Sequence, residues 1–280
     1  MLKPQPADDS PGLLAAHEPP AFKLVNGSSK QPLLLVCDHA SNRIPESLAN
    51  LGLDSGALRS HLALDLGAAE LTGYLAERLG AAAVLAQYSR LVVDCNRDLQ
   101  DPGAFLGYGD GIEVRGNSHL GRHDKDLRAR AIYHPYHGAI DAQLRRLLEL
   151  QMTPIFLSIH SFTPVLDGVA RAWEVGILWD QDQGLHEYFL DAFRGAGLVA
   201  GDNEPYSGKD PADFTIDHHG EANKLPCVAV EVRQDLLSST AGVARIGNLI
   251  QEVIAGLLER GSEAQKPANG PRRNQACNDG

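Results

Sequence analysis

The chain has 280 residues, of which 43% are hydrophobic, and its formal net charge is −11. Such a chain can bury the core of one large domain, and its acidic charge disfavours nucleic acid and anionic membranes as partners. The N-terminus has no apolar signal core, and no uninterrupted apolar run approaches about 20 residues. We therefore expect a cytoplasmic protein.

The four cysteines include no CxxC pair, which argues against a cysteine zinc site. Cys37, Cys95 and Cys227 lie in or beside apolar segments, where a free thiol behaves as a small hydrophobic group. We expect them to be reduced structural thiols, which suits a reducing cytosol.

The first half of the chain begins with a segment rich in Pro, Asp, Ser and Gly, residues 1–30, which predicts a flexible arm. An amphipathic helix should follow Asp65, with Leu71, Leu75 and Leu79 on one face and Gly80 as its C-cap. Apolar runs predict strands at 32–38, 82–86 and 91–95. A short helical turn is expected from Glu46 to Leu51.

The second half contains two long polar loops, at 96–122 and 201–224. A helix should begin near Asp124, and Pro135 should kink or split its first part. Further apolar runs predict a buried strand at 154–160, a half-buried one at 173–179, a short one at 198–199 and one at 227–231, with helices at 183–195 and 238–260. Residues 262–280 are polar, and we expect a disordered tail.

The alternation of strands and helices predicts one α/β domain, residues 31–261, with a mostly parallel or mixed sheet flanked by helices. In such sheets, ligands bind outside the carboxyl ends of the strands. His39 and His160 are expected at two strand ends, and Asp65 precedes the first long helix. A single histidine here is more often a hydrogen-bonded loop residue, but three such ligands together suit one catalytic zinc ion.

A carboxylate and an arginine are further candidates. Glu231 lies in an apolar strand, so it either pairs with Arg233, two residues on, or faces a cleft as a general base. We expect the charges of zinc and Arg233 to outweigh burial and keep Glu231 ionised. Arg97 follows another predicted strand, where its planar guanidinium could clamp a substrate carboxylate or stay a solvated loop residue. His219, in the second long loop, could close over a substrate.

Six segments together resemble the N-formylglutamate amidohydrolase family. They are Val36–Pro45, Ser89–Arg97, Tyr133–His137, Ser158–Ser161, Asn203–Ser207 and Val230–Asp235. The resemblance spans residues 32–255 and implies a phosphorylase/hydrolase-like fold related to zinc exopeptidases. It also implies an enzyme of histidine degradation.

Residue by residue, the resemblance implies a zinc site and a carboxylate clamp. Ser158–Ser161 is similar to the carboxypeptidase segment that carries the last zinc histidine. The pair Asn96 and Arg97 is similar to the residues that hold the substrate carboxylate there. Glu231 is similar to the general base. One position departs from carboxypeptidases, which have a Glu where this chain has Asn42. An amide is a poor zinc ligand, and Asp65 has the position that related cell-wall amidases use. We therefore expect Asp65, with Asn42 as the alternative.

These observations predict a zinc-dependent amidohydrolase that acts on a small N-acyl amino acid with a free carboxylate, with N-formyl-L-glutamate as the leading substrate. Arg90, Arg233 and His219 are further expected substrate contacts. The alternatives are a peptidase or amidase acting on another N-acyl amino acid or a cell-wall peptide, and an inactive binding protein of the same fold. The sequence does not fix the acyl group or the oligomeric state.

Overall fold

A computed structural model describes residues 12–181, 184–209 and 213–264 of the chain. Within these ranges the strands are β1 (Phe22–Val25), β2 (Leu33–Cys37), β3 (Ala82–Ala86), β4 (Tyr108–Gly109), β5 (Ile112–Glu113), β6 (Ile155–Phe162), β7 (Val165–Leu166), β8 (Val169–Ala170), β9 (Val175–Leu178), β10 (Ala200–Asp202) and β11 (Cys227–Arg233). The α-helices are α1 (Ala68–Leu79), α2 (Arg122–Arg128), α3 (His134–Glu149), α4 (Leu185–Gly195) and α5 (Thr240–Ala264).

Seven strands form one sheet in the order β1-β3-β2-β6-β11-β9-β10. The four strands β3, β2, β6 and β11 are parallel, while β1 and β9 pair antiparallel with their neighbours β3 and β11. The remaining strands form two small hairpins, β4-β5 and β7-β8. The predicted α/β domain with a mixed sheet is confirmed.

The central strands are mostly apolar and are buried along nearly their whole length because helices or loops cover both faces of the sheet. On one face, Leu35 of β2 belongs to a core cluster with Leu71 of α1, Phe189 of α4 and Ile250 of α5. On the other face, Val36 belongs to a cluster with residues of α3 and of the loop between β3 and α2. This layering leaves the carboxyl ends of β2, β6 and β11 side by side.

Helix α1 begins after Gly67, which has a φ of 82°. A Cβ atom at Gly67 would overlap the side chain of Leu237, so only glycine allows this close approach. The predicted C-cap, Gly80, is left-handed with a φ of 60°. The tight start of the helix holds Asp65, two residues earlier, at the edge of the sheet.

The strand predicted at 91–95 is wrong, since this segment is a buried loop. Side chains, rather than a neighbouring strand, satisfy its backbone carbonyls: Asn117 donates to Leu91, Arg128 to Val92 and His137 to Cys95. This apolar segment is a loop because side chains distant in sequence supply the hydrogen bonds that a neighbouring strand would otherwise supply.

Other boundaries also differ from the prediction. The segment predicted as a flexible arm contains the edge strand β1, which pairs with β3. Strand β6 continues through His160 to Phe162, so His160 lies within the strand and the expected exposed tip is buried. Strand β9 is fully buried rather than half-buried, and β10 begins at Ala200 rather than at residue 198. Residues 1–11 and 265–280 lie outside the described residues.

The helix predicted near Asp124 begins at Arg122 and is α-helical as far as Arg128. A π-helical turn, Ala129–Tyr133, separates α2 from α3. Pro135 stands in the first turn of α3, where its missing N–H group costs little. The predicted split therefore exists as a π-turn just before the proline.

Helix α5 contains a stretch, Thr240–Arg260, that is long and apolar enough to cross a membrane by length and composition, with a mean hydropathy of 1.2. This differs from the expectation that no segment comes close to that length. One face of α5 packs into the core through Val243, Ile246 and Ile250. A helix that packs on a sheet can meet the same criteria of length and apolar composition as a membrane-spanning helix.

Candidate active site

Three metal-capable side chains meet at the carboxyl ends of β2 and β6. The Nδ1 atom of His39 lies 3.2 Å from Oδ2 of Asp65, and Nδ1 of His160 lies 2.9 Å from the same oxygen. All three side chains are buried, and their ligand atoms lie within 4.8 Å of one another. The backbone N–H of Asp65 donates to the carbonyl of His39, which ties the two loops together. Two imidazoles and one carboxylate are the ligand types of a catalytic zinc site.

Each histidine is oriented by a second carboxylate on its other nitrogen. Nε2 of His39 lies 2.8 Å from Oδ1 of Asp94, and Nε2 of His160 lies 3.2 Å from Oδ2 of Asp38. Ser158 also lies 2.8 Å from the Nε2 atom of His160. Metal-binding histidines commonly donate their outer N–H to a carboxylate in this way. The arrangement leaves both Nδ1 atoms for a shared ligand.

The charges of this cluster stabilise one another. Burial opposes ionisation of Asp65, but His39 and His160 outweigh it and hold the pKa of this carboxyl well below its usual range. Burial likewise disfavours a charged His160, yet Asp38 and Asp65 raise its pKa well above the ordinary value. A metal cation bound among the three side chains would supply the positive charge that the protonated histidines supply here.

Glu231 lies on the strand beside His160, since the two residues are partners in the register of β11 and β6. Its side chain is 7% exposed, and its Oε2 atom has no hydrogen-bond partner in the described part of the chain. Burial raises the pKa of Glu231 to about 7, with Asp65 and Asp213 adding to the rise and His160 opposing it. In the metal-free protein burial thus outweighs the nearby positive charges, and the expectation for the zinc-bound protein stays a prediction.

The arginines divide into two groups. Arg90 donates to Oδ2 of Asp94 through Nε and Nη2, at 3.2 and 2.8 Å, so its fork is occupied. Arg97 has a looser partner, Asp101 at 3.8 Å, and is one-third exposed. Asn96 lies beside it, with its Oδ1 atom fixed by the backbone N–H of Thr215 at 2.9 Å. Arg97 is thus the cation better placed to receive a substrate carboxylate.

Three candidate residues lie elsewhere. Arg233 donates to Asp235 at 2.7 Å, so it is not the partner of Glu231 and does not line the cleft. His219 is fully buried behind the site, 2.8 Å from His137, and cannot close over a substrate. Asn42 donates to the carbonyl of Leu58 at 2.8 Å and does not line the cleft.

The three metal-capable side chains, Glu231 and Arg97 line one cleft of about 600 Å³. The sequence-predicted residues in its wall are His39, Asp65, Arg90, Asn96, Arg97, His160 and Glu231. The loop after β10 supplies a further wall that residue types alone did not indicate, with Asn203, Glu204, Pro205, Tyr206 and Ser207. Asp38 and Asp94, which orient the histidines, were also missed, although each lies within a segment that carries the family resemblance.

Comparisons with known proteins give the family and the fold of the chain. Residues 31–238 match the family model described as N-formylglutamate amidohydrolase. The crystal structure of a gene product from Agrobacterium tumefaciens is similar, with 33% identity, a TM-score of 0.85, and coverage of 90% of this chain and 99% of that one. An N-formylglutamate amidohydrolase from Ralstonia eutropha has 18% identity, a TM-score of 0.65, and coverage of 86% and 99%, and it supports the fold alone. No curated protein matches significantly.

Proposed function

Since the chain belongs to the N-formylglutamate amidohydrolase family, we propose that it is a zinc-dependent hydrolase that cleaves the amide bond of an N-acyl amino acid. The leading substrate is N-formyl-L-glutamate, which would give formate and L-glutamate and would place the enzyme in histidine degradation. We expect a small-molecule substrate and a cytoplasmic protein, to which the buried thiols Cys37, Cys95 and Cys227, none of them in a disulfide, are suited.

One observation carries this proposal. Two Nδ1 atoms and a carboxylate oxygen face one another within 4.8 Å, and Glu231 stands on the neighbouring strand, its Oε2 atom without a hydrogen-bond partner among the described residues. His39, Asp65 and His160 would hold one zinc ion, because the donor set is complete and the outer nitrogens of both histidines already have carboxylate partners. Zinc bound there supplies a Lewis acid for the acyl carbonyl and for a water nucleophile.

The chain's own residues would move the proton and bind the substrate. Oε2 of Glu231 has no hydrogen-bond partner among the described residues, so it can accept a proton from the attacking water and return it to the leaving nitrogen. Burial raises the pKa of Glu231, and a zinc ion bound beside it would oppose that rise and favour the ionised, proton-accepting form. Arg97 and Asn96 would bind the substrate carboxylate, while Arg90 would act through Asp94.

A second reading is a peptidase or amidase acting on another N-acyl amino acid or a cell-wall peptide, and the cleft volume of about 600 Å³ leaves room for one. An inactive binding protein of the same fold is the third. The joint presence of His39, His160 and Glu231 around one cleft argues against it.

The test is a substrate panel with the purified, zinc-loaded protein. Formate or free amine would be measured with N-formyl-L-glutamate, N-acetyl-L-glutamate, N-formyl-L-alanine and a glutamyl dipeptide. The proposal predicts fastest turnover of N-formyl-L-glutamate, loss of activity on zinc removal and recovery on its return. A faster reaction with the dipeptide would favour the peptidase, and no turnover of any member would contradict the proposal.

A further inference from the structure

Tyr206 lines the same cleft as Glu231 and Asp65, on the loop that follows β10. Asn203 anchors this loop, because its Oδ1 atom accepts hydrogen bonds from the backbone N–H groups of Trp179, at 3.0 Å, and Gly208, at 2.9 Å. Tyr206 is therefore held on a fixed wall of the cleft.

The loop also packs directly beside the proposed base. Gly176 of β9 is the register partner of Glu231 of β11. A Cβ atom at Gly176 would overlap the carbonyl oxygen of Glu204, so the backbone of the loop rests on this glycine. Tyr206 follows two residues later. The tyrosine is thus placed at the reacting end of the cleft.

The hydroxyl group of Tyr206 has one partner that can only donate. Nη1 of Arg171 lies 2.7 Å from the phenolic oxygen, and its guanidinium stacks 4.6 Å from the centre of the tyrosine ring. Because a guanidinium has no acceptor, the tyrosine oxygen accepts this bond and its own hydrogen is left for another partner. In the part of the chain that the structure describes, no acceptor takes that hydrogen.

Arg171 makes this hydroxyl a better donor. No carboxylate of the described residues pairs with Arg171, whose second stacking partner is the ring of Phe162 at 5.4 Å. Its positive charge therefore polarises the tyrosine O–H group. Partial burial raises the pKa of Tyr206, which is 42% exposed, and the nearby Glu231 carboxylate adds to the rise, so the hydroxyl keeps its proton at neutral pH.

We infer that Tyr206 is a further catalytic residue, whose O–H group donates a hydrogen bond to the acyl oxygen of the substrate as negative charge develops there, and that Arg171 is its positioning residue. The inference rests on the proposed amide hydrolysis. A preorganised donor aimed at a developing oxyanion stabilises the transition state more than the ground state. Loss of this donor should therefore lower kcat rather than raise KM.

The kinetic test compares Tyr206→Phe with Tyr188→Phe. Tyr188 is a matched control, since it stacks on Arg260 at 4.7 Å but lies on α4, outside the cleft. We expect Tyr206→Phe to lower kcat roughly 100-fold, the effect of losing one oxyanion donor, with KM within about twofold and an unchanged melting temperature. Arg171→Gln should lower kcat about tenfold and Arg171→Lys should recover part of the loss. Equal kcat in the Tyr206→Phe and Tyr188→Phe proteins would overturn the inference.

A binding measurement separates this inference from the proposed function. Inorganic phosphate serves as an oxyanion probe for the zinc-loaded protein, measured by titration calorimetry without any turnover. The parent and Tyr188→Phe proteins should bind phosphate about tenfold more tightly than Tyr206→Phe, the loss expected for one hydrogen bond to a charged group. Equal affinity, or no phosphate binding by the parent, would overturn the role of Tyr206. Failure of the substrate panel with intact phosphate discrimination would instead contradict the substrate.

Discussion

The Nε2 atom of His39 lies 2.8 Å from Oδ1 of Asp94, and both side chains are buried. An ionised carboxylate can only accept, so this nitrogen carries the hydrogen. The contact therefore places a hydrogen on Nε2, so Nδ1, whose hydrogen faces Asp65 in the metal-free protein, is the nitrogen that can bind a metal ion after losing that proton. Asp94 in turn is held by Arg90, so a chain of charges fixes the orientation of the proposed ligand.

Replacing Asp94 with Asn should weaken zinc binding without removing a ligand. Loss of such an outer partner typically costs about 10–100-fold in metal affinity, and we expect a change in that range here. Competition with a chromogenic chelator measures it. Asp126→Asn, an exposed change on α2, is the control. Equal zinc affinity in both variants would show that Asp94 does not orient His39.

The third metal ligand is tested by comparing Asp65→Ala with Asn42→Ala. Asp65 lies within reach of both Nδ1 atoms, whereas the Asn42 amide donates to the carbonyl of Leu58. We expect the purified Asp65→Ala protein to have lost most of its zinc and Asn42→Ala to keep about one ion per chain. Elemental analysis of folded protein gives the answer. The reverse pattern would transfer the ligand role to Asn42.

Arg97→Lys should weaken substrate recognition, because an ammonium cannot reproduce the two-pronged contact of a guanidinium with a carboxylate. A hydrogen bond to a charged group contributes about 1.5–3 kcal/mol, so kcat/KM should fall roughly tenfold to a hundredfold. Arg233→Lys is the matched control, since Arg233 pairs with Asp235 outside the cleft. An equal effect of the two changes would argue against the clamp. The parent should also be slow on a substrate whose carboxylate is amidated.

The stability of the metal-free protein should depend on Asp217. Burial, followed by the charges of Glu221, Asp213 and Asp180, raises the pKa of Asp217 to about 7. The folded state therefore holds a proton that the unfolded state has already lost, and stability falls as the pH rises from about 4 to about 7. Asp217→Asn should raise Tm at pH 8, on the order of 2 °C, and have little effect at pH 4. Thermal melts at both pH values, with the exposed Asp191→Asn as control, check this; a gain confined to pH 4 would contradict it.

The sheet and its helices could be predicted because their signals are local. The apolar runs of β2, β6 and β11 and the periodic face of α1 follow from side chains close in sequence. The strand predicted at 91–95 failed because its hydrogen-bond partners, Asn117, Arg128 and His137, come from distant segments. The apolar composition of residues 91–95 indicated that the segment is buried, but it could not show whether the segment pairs with another strand.

The candidate site shows the same limit. His39, Asp65, His160 and Glu231 could be proposed because each follows or ends an apolar segment. The carboxylates that orient the histidines could not, since Asp94 reaches His39 across 55 residues of chain. Arg233 was misplaced because Asp235, two residues on, offers it a nearer partner than Glu231.

The most direct test of the account is the rate of formate release from N-formyl-L-glutamate by the zinc-loaded Glu231→Gln protein. The substitution keeps the shape of the side chain and removes the proton acceptor. A general base contributes about 10²–10⁴-fold, so we expect turnover to fall by that factor while zinc content and Tm stay as in the parent. Near-normal turnover by the Glu231→Gln protein would contradict the account, because the base would then lie elsewhere.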